Sequence, residues 1–143
     1  MNMYLEFKKQ KEKDVNEFPF IFAFNNEQLI KGMKKLGLKE TDTDKLLSIG
    51  NGGYIRKSDK QALSDMFEKH NENFKKAIKE DLTGEGFIYD MFNYELANHE
   101  YCITYEIDDT LDALGLTIEE IKNDSRLLHG LRKAIKNQEN NSF

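Results

Sequence analysis

The 143-residue chain has one cysteine and one proline, and no long apolar run. A lone cysteine excludes a disulfide framework and a cysteine-rich zinc module, and it fits a reducing compartment. A single proline, with no Ser- or Gly-rich tract, excludes a long linker. The longest apolar run is the seven residues Phe18–Phe24, far short of the roughly 20 a membrane-spanning helix needs. The N-terminus MNMYLEFKKQKEKD lacks the apolar stretch of a signal peptide. Positive charge is also in short supply, with 21 Lys and Arg against 26 Asp and Glu, a net −5. That balance argues against a protein whose main work is gripping nucleic-acid phosphates. What remains is enough to fold: 38% hydrophobic residues, including 10 Phe and 6 Tyr. The expected setting is a cytoplasm, with no membrane contact.

The apolar pattern predicts an α+β fold, with five or six helices packed on a small sheet of three or four short strands. No internal boundary is visible, so residues 1–143 read as one compact domain with a polar tail that frays from about 137 to 143. A helix is expected from Met3 to about Asn16, stopped before Pro19. Phe20–Phe24 reads as a strand covered on both faces, its phenylalanines in the core rather than a base-stacking platform. Asn25 or Asn26 should cap a helix ending at Gly37. Leu46–Ile49 and Tyr54–Lys57, joined by GNGG, read as a β-hairpin. Ser58 with Gln61 looks like a capping box opening the longest helix, and Thr117 with Glu120 like a second. Phe87 to Asn98 is helical in pattern. Tyr101, Ile103, Tyr105 and Ile107 alternate like a strand. The pattern leaves strand order and oligomeric state open.

Several clusters bear on function. Glu95 and His99 lie four apart on a helix, and Cys102 would join their face if that helix ran one turn further. A carboxylate, an imidazole and a thiolate stacked in this way could hold Zn²⁺, with His70 or an acid as the fourth ligand. The bland alternative is a core histidine and a buried cysteine in a strand. Cys102 with His99 as nucleophile and base is a weaker reading, because proximity in sequence is not proximity in space. GNGGYIRK, Gly50 to Lys57, could cradle a phosphate but lacks the spacing of a P-loop, and a hairpin turn explains its glycines. Glu106, Asp108, Asp109 and Asp112 lack EF-hand spacing and read as helix caps and first-turn acids, or as an acidic patch. Lys8, Lys9, Lys11 and Lys13 form one basic face, and His129 with Arg132, Lys133 and Lys136 another. Both read as solvated helix surfaces.

Three strings, FPFIFAFNNEQLIKGMKKLG, TDKLLSIGNGGYIRKSD and FIYDMFNYELANHEYCITYEIDDTLDALGL, resemble a family of small uncharacterised proteins encoded by phages and mobile elements of bacteria. None of them is a catalytic signature, so the resemblance implies a setting and no site residues. Small acidic proteins in that setting are often inhibitors of host defence machinery, as anti-CRISPR proteins are. The expectation is therefore a non-enzymatic protein-binding factor in a bacterial host cell, with a host or phage protein as partner and no cofactor. The alternative is a metal-binding protein or small metal-dependent hydrolase built on Glu95, His99 and Cys102.

Overall fold

A computed structural model describes residues 2–141. The fold is α+β, with eight α-helices and one three-stranded antiparallel sheet among those residues. The chain divides into two compact units, Met1–Gln10 with Glu72–Phe143, and Lys11–Asn71. Helices α1 (Met3–Glu17) and α3 (Lys60–Glu80) contribute residues to both.

The larger unit is built round α4 (Phe87–Asn98), whose buried residues Phe87, Ile88, Met91, Phe92, Glu95 and Leu96 surround it on most sides. A helix apolar on most faces belongs in the middle of a core. Against it packs α8 (Ser125–Asn140), which buries Leu127, Gly130, Leu131 and Ala134 at spacings of three, four and seven. Gly130 sets their closeness, since a Cβ there would come within 2.6 Å of Ile88 Cγ2 and 2.7 Å of the Gly84 carbonyl oxygen. Asp124 caps α8 by accepting from the Arg126 and Leu127 N–H groups. The short helices α6 (Asp108–Leu114) and α7 (Ile118–Lys122) complete the core with Leu111, Leu114 and Ile121. The expected Thr117–Glu120 capping box opens α7. Where the sequence predicts a frayed tail from about 137, α8 continues to Asn140, and Asn137 and Gln138 each donate to Asn93 Oδ1 at 2.8 Å. Ser142 and Phe143 lie outside the described residues.

The alternating stretch from Tyr101 is not a strand. It forms the one-turn helix α5 (Tyr101–Thr104), bracketed by Glu100 and Tyr105 in the left-handed region at φ 57° and 58°. Tyr101 turns inward and donates to Glu139 Oε1 at 3.2 Å, while Ile103 and Tyr105 turn out. Period-two alternation over so few residues marks a strand only where a partner strand exists, and here none is paired with it.

The Lys11–Asn71 unit holds the sheet, in the order β1 (Ile21–Phe22), β3 (Gly53–Arg56), β2 (Leu46–Gly50). The GNGG hairpin forms as its turn chemistry requires, with Gly50, Asn51 and Gly52 all at positive φ. Helix α2 (Asn26–Lys35) starts on the Asn25 cap and stops at Gly37, whose φ of 74° lets the Leu38 N–H return to Met33 O at 2.8 Å. Its Gly32 lies against Ile21, which is buried with Met33 and Leu36. The expected Ser58–Gln61 capping box is absent. Residues 57–59 form a 3-10 turn, Asp59 takes Arg56, and Gln61 donates to Asp65.

Candidate functional site

Glu95 is 2% exposed and its carboxylate is the most enclosed charge in the core of its unit. Its Oε1 accepts from Tyr4 Oη at 3.1 Å and from Lys8 Nζ at 3.0 Å, two groups one turn apart on α1. Burial, and then the Glu95 charge, push the Tyr4 hydroxyl far above the usual tyrosine range, so it stays a donor. The Lys8 ammonium also sits 4.8 Å from the Tyr94 ring centre. His99, one turn beyond Glu95, places Nε2 3.5 Å from Glu95 Oε2, and that nitrogen is buried without a hydrogen-bond partner. Glu95 and His99 therefore meet on one face of the helix, as their spacing predicts. Cys102 does not join it. The left-handed Glu100 redirects the chain before α5, and Cys102 is half-buried there as a free thiol. Among the described residues no group of three His, Cys, Asp or Glu side chains is placed to hold a metal ion. What the cluster does chemically is balance a buried carboxylate with an ammonium and hydrogen-bond it with a phenol, clamping the start of α1 to α4.

His70 stands apart from that cluster. It is buried on α3, and its Nε2 lies 2.8 Å from Asp14 Oδ2 on α1, with Nδ1 left without a partner. Arg56 is committed too: Nε donates to Asp59 Oδ2 at 2.7 Å, and the guanidinium reaches the Leu36 carbonyl oxygen at 3.3 Å. It is thus drawn away from the Gly50–Gly53 turn. Of the two basic faces, Lys8 is spent on Glu95, and Lys133 on Glu85 and the Tyr89 ring.

Two surfaces differ from expectation. Phe22 and Phe24 are not core: they are 65% and 78% exposed. Strand β1 is only two residues long, so Ile21 alone faces α2, Phe22 faces out, and Phe24 lies over the bare backbone of Gly52. The second surface surrounds α5. Residues 100–121 carry seven carboxylates and no Lys or Arg. Asp108 and Asp109 stand in the first turn of α6, as one half of the expectation had it, but neither caps the helix, because Ile107 occupies the N-cap and no side chain caps it. Glu100, Glu106, Asp108, Asp109 and Asp112 are exposed and form no ion pair among the described residues. Among them stand Ile103 at 72% and Tyr105 at 63% exposure. The complete absence of cations from residue 100 to 121 is the signal by which the sequence could have marked this face.

A model of a family of unknown function, DUF7659, matches residues 3–137. No curated protein and no solved structure matches the chain.

Proposed function

The chain belongs to the DUF7659 family of unknown function, and we propose from its own surface that it is a non-enzymatic protein-binding factor whose partner is basic. The observation that carries this reading is the exposure of Ile103 and Tyr105 among five unpaired carboxylates. Apolar side chains held in water gain about 25 cal/mol for each Å² a partner covers. Surrounding carboxylates steer such a partner in and select for a cationic surface. Support for a non-enzymatic role comes from the titratable groups in the core, since Glu95, Lys8 and Tyr4 are spent on one another.

In its sharper form, the reading is of a factor from a phage or mobile element. It acts in the cytoplasm of a bacterial host, and it occupies the basic nucleic-acid groove of a nucleic-acid-guided defence effector, as anti-CRISPR proteins do. The test is a cleavage assay with a panel of purified RNA-guided nucleases, each with guide and target DNA and an excess of this chain. The expected result is stoichiometric binding and inhibition of at least one nuclease, relieved by Ile103→Lys with Tyr105→Lys. Failure to bind any basic nuclease at micromolar concentration sinks the reading.

A further inference from the structure

Resting on that reading, we propose that the Lys11–Asn71 unit carries a second docking element, an apolar groove that seats an arginine side chain of the partner. The groove lies between the end of α1 and the start of α3, is open to solvent, and has a volume of about 430 Å³. Ala62, Asp65, Met66 and Lys69 reach it at spacings of three, four and seven, one face of α3. Its apolar lining is Phe18, Pro19, Ala62 and Met66. The Phe18 ring packs against Phe20, centre to centre 4.9 Å.

The rim is acidic. Asp14, Glu17 and Asp65 line it against one cation, Lys69, which is exposed and pairs with none of the three. Asp14 is engaged by His70 through Oδ2 at 2.8 Å, and Asp65 accepts from Gln61 on Oδ1 at 2.8 Å. Glu17 is exposed and has no ion pair.

A groove lined by apolar side chains and carboxylates matches one side chain above others. Arginine lays its methylene stem on apolar surface and carries a planar cation that takes carboxylates edge-on and aromatic rings face-on. A neutral apolar side chain would leave Glu17 and Asp65 without a cation. Lysine can place its ammonium over a ring, as Lys8 does over Tyr94, but it lacks the planar fork that takes a carboxylate edge-on while stacking.

The test is a titration of the isotope-labelled full chain with the peptide acetyl-Gly-Arg-Gly-amide, followed by amide chemical shifts. The control is the same peptide with citrulline, the neutral isostere of arginine. Saturable shifts at Glu17, Phe18, Asp65 and Met66 are expected with arginine, at least tenfold weaker with citrulline, and at least tenfold weaker in Glu17→Gln with Asp65→Asn. Both of those positions are exposed, so that variant keeps its fold, and its amide spectrum verifies this. Equal response to citrulline, shifts confined to residues 100–112, or an unaltered response in the variant overturns the proposal. The nuclease assay is read separately. If the groove stays silent while a nuclease is inhibited, this inference falls and the functional reading stands. If the groove takes arginine but no basic nuclease binds, the functional reading falls alone.

Discussion

Single side chains here are decided by partners far away in the chain. Glu95 and Lys8 are 87 residues apart, yet together they settle whether a carboxylate can sit in the core. Removing the carboxylate leaves the Tyr4 hydroxyl buried without its acceptor and the Lys8 ammonium without its counter-charge. Glu95→Ala should therefore cost about 3 kcal/mol, read as a lower urea midpoint. Lys8 is partly exposed and can turn to water, so Lys8→Met should cost distinctly less in the same measurement. Ile21 and Phe22 make a second contrast, since they are neighbours of similar hydrophobicity with opposite fates. Ile21→Ser opens a cavity against Met33 and Leu36 and should cost about 3 kcal/mol. Phe22→Ser changes an exposed position and should stay within about 0.5 kcal/mol. Equal losses from the two would contradict the outward placement of Phe22.

At the scale of elements, α4 is held at its start by a residue outside it. Gly86 occupies its N-cap and brings no capping side chain. Asp81 serves instead, its Oδ2 accepting from the Gly86 and Ile88 N–H groups at 3.0 Å and its Oδ1 from Gly84 at 2.9 Å. Burial raises the Asp81 carboxyl, but the backbone donors together outweigh it and hold it below the usual aspartate range. A folded-state value below the unfolded one of about 3.9 contributes stability that is present above that pH and lost as pH falls through the folded value. Asp81→Asn should lower stability by about 1 kcal/mol at neutral pH and by less towards roughly pH 2, which urea midpoints from pH 7 down to 2 would register. The contact of α8 with α4 gives a sharper test. Helix propensity alone favours Gly130→Ala by about 1 kcal/mol. The 2.6 Å and 2.7 Å approaches to Ile88 and the Gly84 carbonyl oxygen oppose it. Overpacking against backbone costs roughly 1–3 kcal/mol, so net destabilisation is expected as a lower melting temperature.

For the whole molecule, the net −5 hides an asymmetry. The unit containing α4 holds 10 basic and 16 acidic side chains, −6, while the Lys11–Asn71 unit holds 11 and 10, +1. The acidic balance is thus a property of one unit, and its unpaired part is concentrated around α5. Long-range attraction of a basic partner should depend on those carboxylates and on ionic strength. Asp108→Lys with Asp109→Lys should slow association with an inhibited nuclease about tenfold at low salt, and the gap should close at high salt. Association rates measured across a salt series would show this. A loss that persists at high salt would mean that the two residues act by packing.

Local features were legible because the atoms that decide them are close in sequence. The Asn25 cap, the Gly37 stop, the Thr117–Glu120 capping box, the block at Pro19 and the GNGG hairpin each involve a few adjacent residues, and each is present in the structure. So are the α+β class and the Glu95–His99 proximity, which is one turn of helix. Apolar character did not say which way a side chain faces. Phe22, Phe24, Ile103 and Tyr105 look like core residues in a string of letters, yet they stand in water. Burial depends on what other elements cover, and β1 is too short, and α5 too sharply turned, for these four to be covered. Nor could the pattern show that Asp81 caps α4 or that Ile107 takes the N-cap of α6, because each outcome depends on loop geometry set by the surrounding helices. Residues adjacent in the chain were enough to mark the start and stop of α2, the start of α7 and the hairpin turn. Which charges are spent inside the fold and which stay in water came from packing alone, because that depends on distances between residues up to 91 positions apart.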